Sequence, residues 1–548
     1  MRRSNWITVV LLCFATCAGA ERVGSRVIHF PADRSMGMLY VLDWDKVDTS
    51  SSSGWKLLCE ATGDVTVPAW KALRLDLSKE AGDDLSPLSV LRPDDLIMLY
   101  CFRVEIADDQ LRHISHLTGL KHINLHGTNI LGTGLKYLAK LKSLERLNLN
   151  STHVGDNELA YLADLPSLKS LDLWGTPTND AGMVHVGKIT SLEVLLLGRG
   201  VGDEGLSHLK NLTSLRHLSV SDPAISDKGL SYLADMTKME SLLIAETQIS
   251  NDGLRHLKQM KKLKTLHLWQ TRVTEEGLVH LKDLTNLEQL RLGFPLTEVG
   301  LMHLSGLVLL KHMRLDESSM TPKGLDVLSE MKSLEDVIID CWRKGGSYNT
   351  DAVVKKVAGS LKLKSLSICE GLTDEGLVNL KNMQSLEKLF IFRSQVTDKG
   401  FAVLAELPCL KELSLAEPTL TSEEWAALGR LSSLECLDLN WIQSKVADAD
   451  IAHLSGLRRL KRLTINPKVL DDDESIAFGI TDKSLMHISK LKALEVLYLT
   501  GAKITNEGLQ HLAGLPALEY VNFDRCEVSE QDLQQLKKKL PELRWSIY

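Results

Sequence analysis

The sequence predicts an α/β solenoid, with parallel strands on its concave face, short helices on its convex face and a small β-rich cap at its N-terminal end. Three observations predict this fold. A unit of about 24 residues recurs along most of the chain, each unit carries a Leu-x-Leu alternation, and each ends in a short segment with helical spacing. Since one such unit cannot bury its apolar face alone, stacked copies share a continuous core.

The repeat follows the pattern L-x-x-L-x-x-L-x-L-x-x-T-x-[IV]-[ST]-[DE]-x-G-L-x-x-L. Its second apolar position recurs, mostly 23 or 24 residues apart, at Leu120, Leu144, Leu168, Leu192, Leu215, Met239, Leu263, Leu287, Leu310, Leu334, Leu386, Leu410, Leu434, Leu460, Leu494 and Leu518. A weaker copy begins at Leu96 and a degenerate one ends at Leu366, which makes about eighteen units.

Each half of the unit has a physical interpretation. The Leu-x-Leu alternation places two leucines on the buried face of a short strand, because successive side chains of a strand point to opposite faces. Thr373-Asp374 and Thr397-Asp398 illustrate the next part. The hydroxyl caps a helix, and the acidic residue places negative charge at the positive end of that helix. The following Gly-Leu-x-x-Leu supplies the buried face of the helix.

These motifs resemble the leucine-rich repeat family, in particular its 24-residue GALA-like, cysteine-containing (RNI-like) subclass in a secreted bacterial form. Residues from about 93 to 543 carry the resemblance. It implies a right-handed horseshoe that binds ligands on its concave face and has no enzymatic activity. We therefore assign residues 93–536 to the leucine-rich repeats and residues 537–548 to a C-terminal cap.

The first residues have the features of an export signal. Arg2 and Arg3 precede an apolar stretch, and a small-x-small pattern ends at Ala20, so residues 1–20 are predicted to be a cleaved signal peptide. The mature chain would then be secreted, periplasmic or at the cell surface. Residues 21–92 precede the clear repeats, and "RVIHF", "MLYVL", "WKLL" and "DVTV" predict strands of the N-terminal cap.

Composition limits the partners and cofactors. The chain has a formal net charge of −7 and no concentrated basic patch, which disfavours nucleic acid as a partner. No stretch after the signal is long and apolar enough to span a bilayer. The nine cysteines have wide, irregular gaps that indicate neither a disulfide framework nor a zinc site, and we expect no other metal or cofactor.

A glycine-rich stretch imitates a dinucleotide-binding turn. Gly200, Gly202 and Gly205 form Gly-x-Gly-x-x-Gly between a predicted strand and a predicted helix, and Asp222 ends the next strand. Neighbouring repeats have other residues in the same slot, so the first two glycines are local variants of the repeat and the third is its helix glycine. We therefore expect no nucleotide site here.

Alternating charges follow the second apolar position of each unit. They are Lys121, Glu145, Lys169, Glu193, Arg216, Glu240, Lys264, Glu288, Lys311, Glu335, Lys364, Glu387, Lys411, Glu435, Lys461 and Glu495, and Glu519 then breaks the alternation. Strands stacked about 4.8 Å apart would give each charge opposite neighbours on both sides. Exposed ion pairs contribute about 0–1 kcal/mol each. This charge ladder is therefore expected to fix the register of the strands and to add little to the stability of the fold.

The concave face is the expected binding surface, because residues that alternate with the buried leucines point out of the sheet. Exposed aromatic and arginine side chains anchor many binding interfaces. The predicted ligand-binding residues are Trp174, Trp269, His267, Arg291, Arg314, Phe390, Phe392 and Tyr498. Scattered aromatic residues on a solvated sheet are the alternative interpretation.

We expect an exported, non-enzymatic recognition protein that binds a protein, peptide or glycan on its concave face. One alternative comes from the repeat subclass, which is similar to the substrate-recognition arm of F-box-type ubiquitin ligases, although no F-box precedes the repeats. Another is an enzyme with an unrecognised site in residues 21–92. The acidic insertion at Asp471–Glu474 is predicted to be a solvated loop at the rim.

Overall fold

The computed structural model describes residues 24–47, 53–316, 319, 321–340, 350–359, 362–368, 370–468 and 479–547. The predicted signal peptide and the acidic insertion lie outside these residues. The chain divides into two compact units, Met1–Val273 and Thr274–Tyr548.

The first unit begins with strands that precede the repeats. They are β1 (Ser25–His29), β2 (Gly37–Asp43), β3 (Lys56–Glu60), β4 (Asp64–Pro68) and β5 (Lys71–Leu77). β1 pairs antiparallel with β4, and β2 pairs antiparallel with both β3 and β5. The strands predicted from "RVIHF", "MLYVL", "WKLL" and "DVTV" are therefore confirmed.

Each repeat of the first unit contributes one strand to a parallel sheet. These strands are β6 (Met98–Tyr100), β7 (His122–Asn124), β8 (Arg146–Asn148), β9 (Ser170–Leu173), β10 (Val194–Leu197), β11 (His217–Ser219), β12 (Ser241–Leu243) and β13 (Thr265–Leu268). They pair in chain order. β5 is parallel to β6, so the repeat sheet extends back into residues 71–77.

The second unit has the same organisation. Its strands are β14 (Gln289–Leu292), β15 (His312–Asp316), β16 (Asp336–Asp340), β17 (Ser365–Ile368), β18 (Lys388–Phe392), β19 (Glu412–Ala416), β20 (Cys436–Ile442), β21 (Arg462–Pro467), β22 (Val496–Thr500), β23 (Tyr520–Asp524) and β24 (Arg544–Ser546). β15 to β24 form one parallel sheet in chain order. β24 continues this sheet within the stretch predicted as a C-terminal cap.

Short helices connect the strands. The α-helices are Leu135–Leu138, Asp180–Val186, Asp203–Leu209, Asp227–Ser231, Glu298–His303, Pro322–Glu330, Thr350–Val357, Asp374–Val378, Asp398–Leu404, Ser422–Leu428, Asp448–His453, Asp482–Ile488, Asn506–Leu512 and Glu530–Lys537. Trp44–Lys46, Glu80–Asp83, Ser86–Val90, Asp108–Ile114, Asn157–Leu162, Gly253–Leu257, Glu275–Leu281, Asn379–Asn382 and Leu454–Gly456 form 3-10 turns instead. Segments this short readily take the tighter 3-10 form.

The Thr-Asp pair of the repeat has two separate roles. The Thr373 and Thr397 hydroxyl groups accept the backbone N–H two residues later, at 3.2 and 3.3 Å, which confirms them as helix caps. Asp374 also reaches the next repeat, where its carboxylate accepts the Thr397 N–H at 2.8 Å and the Thr397 hydroxyl at 2.7 Å. The same bridge joins Asp203 to Ser226, Asp227 to Ser250, Asp351 to Thr373, Asp448 to Thr481 and Asp482 to Thr505.

This carboxylate explains the glycine of the Gly-Leu pair. A Cβ on Gly400 would lie 2.3 Å from Asp374 Oδ1, and a Cβ on Gly229 would lie 2.3 Å from Asp203 Oδ1. Only a residue without a side chain leaves room for a carboxylate this close. The glycine of the motif therefore reflects a contact with the acidic residue of the preceding repeat as well as a position in its own helix.

The predicted charge ladder is confirmed within each unit. In the first unit, the Glu145 carboxylate lies between Lys121 and Lys169, with nearest N–O distances of 3.2 and 3.8 Å. In the second unit, the Lys461 Nζ lies 2.8 Å from a Glu435 oxygen. These side chains are partly exposed to solvent, so each pair adds little stability.

Each unit thus stacks repeats of one parallel strand and one short helical segment, with the repeated leucines in the core. This architecture confirms the predicted α/β repeat solenoid. No helix among the described residues has the length and apolar character needed to cross a bilayer.

Candidate functional site

The side of each parallel sheet away from the helices, here called the sheet face, is open to solvent. Parallel sheets are normally covered by helices on both faces. In β9 and β13, buried leucines alternate with partly exposed residues, so that only one face belongs to the core. Large aromatic rings remain exposed beside the uncovered face, at Trp174 and Trp269 in the first unit. Such a face is the main candidate for a binding surface.

Trp174 and Trp269 stand at equivalent positions of their repeats, just beyond the ends of β9 and β13. Their side chains are 56% and 49% exposed. Each precedes a residue with left-handed backbone, Gly175 (φ 69°) and Gln270 (φ 52°), at which the chain turns out of the strand. Four strand spacings of about 4.8 Å separate the two tryptophans, which gives roughly 19 Å.

The positions between the two tryptophans are small or apolar. Extending the strand register places Gly198, Ser221 and Ala245 in the same column as the two rings. The neighbouring column of the sheet face contains Asp172, Leu196, Ser219, Leu243 and the predicted binding residue His267. Small residues allow a ligand to approach the sheet closely, and the partly exposed leucines offer apolar contact.

Asp172 holds the turn that carries Trp174. Its Oδ1 accepts the Trp174 N–H at 3.0 Å. Burial raises the pKa of Asp172, and the hydrogen bond from Trp174 acts in the opposite direction. His267 is half-buried beside Trp269. The backbone that carries the Trp174 ring is therefore fixed before any ligand binds.

A second group of rings and charges lies on the first unit where β5, β6 and β7 meet. The Arg74 guanidinium lies over the rings of Tyr40 and Tyr100, with its Cζ 4.4 and 4.7 Å from the ring centres. Burial, followed by the positive charges of Arg146 and Arg74, lowers the pKa of His122 to about 4. The repeat pattern does not predict this group, because no repeat motif identifies β5 as part of the sheet.

In the second unit, Phe390 lines a small depression of ≈ 200 Å³ in the sheet face. Its ring is 36% exposed and stands between Ser367 and Ser414 on the neighbouring strands. Phe392 is half-buried, and the Arg393 guanidinium lies over its ring with Cζ 4.9 Å from the ring centre. Phe390 is thus an accessible ring, whereas Phe392 is partly covered by its neighbour.

A larger polar depression of ≈ 710 Å³ lies on β20 to β23. It is lined by Asp438, Asn440, Arg462, Thr464, Asn466, Tyr498, Thr500, Asn522 and Asp524. Tyr498 is half-buried and packs at a tilt against Tyr520, with ring centres 5.6 Å apart. The predicted binding residues Arg291 and Arg314 are exposed on β14 and β15 and line neither of these depressions.

Trp441 is an exposed ring that is absent from the residues predicted to bind a ligand. It is 53% exposed and directly follows Asn440. The pairing of β20 with β21 shifts register between Asn440 and Ile442, so Trp441 occupies a bulge. Its φ of 54° lies in the left-handed region that bulky residues seldom occupy. Because the bulge adds a residue to the strand, simple alternation does not assign Trp441 to a face.

Carboxylates occupy the backbone amides of the glycine-rich stretch. The Gly200 N–H donates to Asp222 Oδ2 at 2.7 Å, and the Gly202 and Gly205 N–H groups donate to Asp180 Oδ1 at 2.7 and 2.9 Å. A bound pyrophosphate would need the same donors. Within the described ranges, no group of three or more His, Cys, Asp or Glu residues is arranged to hold a metal ion.

Comparisons with known proteins identify the repeat itself. A family model described as Leucine Rich repeat matches residues 211–234. No curated protein sequence matches the chain.

Several solved structures are similar to this chain at low identity. An LRR protein of Leptospira interrogans has 17% identity over 86% of this chain and 95% of that one, with a TM-score of 0.37. An internalin (InlF) of Listeria monocytogenes has 18% identity over 76% and 93%, with a TM-score of 0.32. A plant peptide hormone receptor, RGFR1 in complex with RGF2, has 14% identity over 86% and 93%, with a TM-score of 0.37. TM-scores this low leave the fold assignment to the repeat geometry.

Proposed function

We propose that this chain is a leucine-rich repeat recognition scaffold that binds a protein, peptide or glycan ligand on its uncovered sheet face. The first-unit surface between Trp174 and Trp269 favours a protein or an extended peptide. The observation that carries the proposal is the exposure of these two rings beside a face that parallel sheets ordinarily keep covered.

The two tryptophans have enough exposed area to act as anchors. A large aromatic side chain can bury about 150–250 Å², and about half of each ring is exposed here. Removing about 100 Å² of apolar surface from water contributes about 2.5 kcal/mol at 25 cal/mol per Å². That magnitude is typical of the few residues that dominate a protein interface.

The spacing of the anchors fits an extended ligand segment. The roughly 19 Å between the two columns corresponds to about six residues of extended chain at 3.3 Å per residue. Ser221 and Ala245 between them are small and partly exposed, which leaves room for a ligand backbone, and Leu196 and Leu243 offer partly exposed apolar contacts. His267 is placed to contact the same segment.

The proposal describes a non-enzymatic, exported protein. Binding on a preformed face requires no chemical step from the scaffold, and the features of residues 1–20 support export. In the second unit, the accessible Phe390 and Tyr498 and the exposed Arg291 and Arg314 are the proposed contacts, with Phe392 contributing less because Arg393 lies over it.

The test compares two double variants in capture of partners from the medium and extracts of the source cells. Trp174→Ala/Trp269→Ala removes the proposed anchors. Tyr161→Ala/Val184→Ala removes side chains that are each 41% exposed but lie on the helical segments of the same unit. Both should retain the wild-type circular dichroism spectrum.

We expect the tryptophan variant to bind the captured partner at least 30-fold more weakly, about 2 kcal/mol, and the helix-side variant to bind normally. Equal recovery by the tryptophan variant, or loss of the partner only in the helix-side variant, would remove the case for the sheet face.

A further inference from the structure

The polar depression on β20 to β23 differs in character from the tryptophan surface of the first unit. Its volume is ≈ 710 Å³. It extends over three strand spacings of about 4.8 Å, roughly 14 Å. That length suits a short chain of linked groups better than a single small molecule. It is also open along the sheet face, so a longer chain could continue past either end.

Most side chains that line the depression both donate and accept hydrogen bonds. The amide groups of Asn440 and Asn466 make no hydrogen bond to any residue in the described ranges. Thr464 donates its hydroxyl to Asp438 Oδ1 at 2.6 Å, and its oxygen can still accept. Groups of this kind match the hydroxyl groups of a ligand, since a hydroxyl also donates one hydrogen bond and accepts two.

The charges of the depression disfavour an acidic ligand. Asp438 and Asp524 contribute two negative charges at its two ends, and Arg462 contributes one positive charge. A phosphorylated, sulfated or carboxylated ligand would meet more repulsion than attraction here. A neutral ligand with adjacent hydroxyl groups could instead be held by the carboxylates as acceptors and by the guanidinium as a donor.

Aromatic rings accompany these polar groups. Tyr498 lines the depression, and Trp441 directly follows the lining residue Asn440. The left-handed φ of Trp441 recurs at the corresponding position of other repeats, at Arg393, Glu417 and Arg525, so it belongs to the turn of the repeat. The Trp441 ring is 53% exposed, so core packing does not account for an aromatic residue at this position.

We infer that this depression binds a neutral oligosaccharide, whose hydroxyl groups pair with Asn440, Asn466 and Asp438 and whose ring faces pack against Tyr498 and Trp441. Protein interfaces have a desolvated apolar centre, whereas the centre of this depression is polar, so a protein ligand fits it less well. The inference rests on the proposed binding function, but it concerns a different surface from the one between Trp174 and Trp269.

The test uses the full mature chain and four neutral probes: cellohexaose, xylohexaose, mannohexaose and chitohexaose. Binding is detected by saturation-transfer difference NMR and quantified by isothermal titration calorimetry. At least one probe is expected to bind with a Kd of about 1 mM or tighter. A galacturonate hexasaccharide serves as the anionic control and is expected not to bind. Asn440→Ala/Asn466→Ala is expected to weaken binding at least tenfold.

Trp441→Gly separates a binding role from a structural one. Glycine adopts a φ of 54° without strain, so the Tm of this variant should equal or exceed that of the wild type. Its affinity for the saccharide should still fall at least tenfold. A lower Tm with unchanged affinity would contradict the assigned role of the ring.

A further control separates this inference from the proposed function. Trp174→Ala/Trp269→Ala should bind the saccharide with wild-type affinity, even if it has lost its protein partner. The inference is overturned if none of the four neutral probes binds, if the galacturonate binds more tightly than they do, or if Asn440→Ala/Asn466→Ala leaves the affinity unchanged. Each of these results would leave the partner-capture test of the tryptophan surface standing.

Discussion

Replacing Asp374 with alanine tests how neighbouring repeats are held together. The helix Asp374–Val378 begins with two acidic residues. Asp374 accepts two hydrogen bonds from Thr397 in the next repeat, at 2.8 and 2.7 Å. The side chain of Glu375 is exposed and has no such bond in the described part of the chain. Asp374→Ala and Glu375→Ala therefore remove the same charge from the same helical turn but only one of them removes the bridge.

The losses of stability caused by the two substitutions should differ by about 2 kcal/mol. Each loses the favourable interaction of a carboxylate with the helix N-terminus, about 0.5 kcal/mol. Asp374→Ala also loses two hydrogen bonds to a charged acceptor, about 1 kcal/mol each at this exposed site. The expected cost is thus about 2.5 kcal/mol for Asp374→Ala and about 0.5 kcal/mol for Glu375→Ala.

Hydrogen exchange followed by mass spectrometry measures the loss of stability at the affected repeat. A local measurement is needed because the stability of a repeat stack is a sum of nearest-neighbour interactions. A difference of 2 kcal/mol corresponds to a roughly 30-fold faster opening of the peptide 397–404 in Asp374→Ala than in Glu375→Ala. Equal exchange in the two variants would show that the acidic residue acts only through the helix dipole, and would refute the bridging role.

Three further predictions concern the same scaffold. Gly400→Ala should destabilise the protein by about 1–2 kcal/mol although helix propensity alone favours alanine by up to about 1 kcal/mol. In an Asp374→Ala background the added Cβ no longer meets the carboxylate but still lies 2.7 Å from Val396 Cγ1, so urea unfolding should show a smaller loss of stability. Glu240→Lys, which places three cations in a row on the ladder, should lower the Tm more at low than at high salt; a salt-independent change would contradict the ladder. The pKa of His122 is about 4 in the folded chain and near 6.5 in the unfolded chain. Between these two pH values the unfolded chain binds a proton that the folded chain does not. The free energy of unfolding should therefore fall as the pH drops from about 6.5 to 4. Urea titrations should show a loss of at most about 3 kcal/mol from this group, and His122→Gln should have a smaller loss; an identical pH profile would refute the assignment.

The fold was largely predictable because the same pattern of apolar and capping residues recurs in each repeat. The Leu-x-Leu alternation located the strands, and Thr373 and Thr397 identified the starts of their helices. The inter-repeat bridge from Asp374 to Thr397 was not predictable from one unit, since both residues have adequate explanations within their own helices. The parallel pairing of β5 with β6 was missed because residues 71–77 carry no repeat motif.

The candidate site was predictable only in part. Strand alternation places Trp174, Trp269 and Phe390 on or beside the uncovered face, where they are exposed. Strand alternation predicts which face a side chain is on but not which neighbours cover it. Phe392 was therefore predicted as a ligand-binding residue although the Arg393 guanidinium lies over its ring. Trp441 was missed because a bulge breaks the two-residue period. Depressions also depend on side chains from several repeats, which no single motif contains.

Site-specific photo-crosslinking tests the central claim, that the sheet face is where a ligand binds, most directly. A photoreactive phenylalanine is placed in turn at Trp174, at Trp269 and at the helix-side Tyr161, and each protein is irradiated with the captured partner. Covalent adducts are expected from Trp174 and Trp269 and not from Tyr161. Adducts from Tyr161 alone would contradict binding on the sheet face.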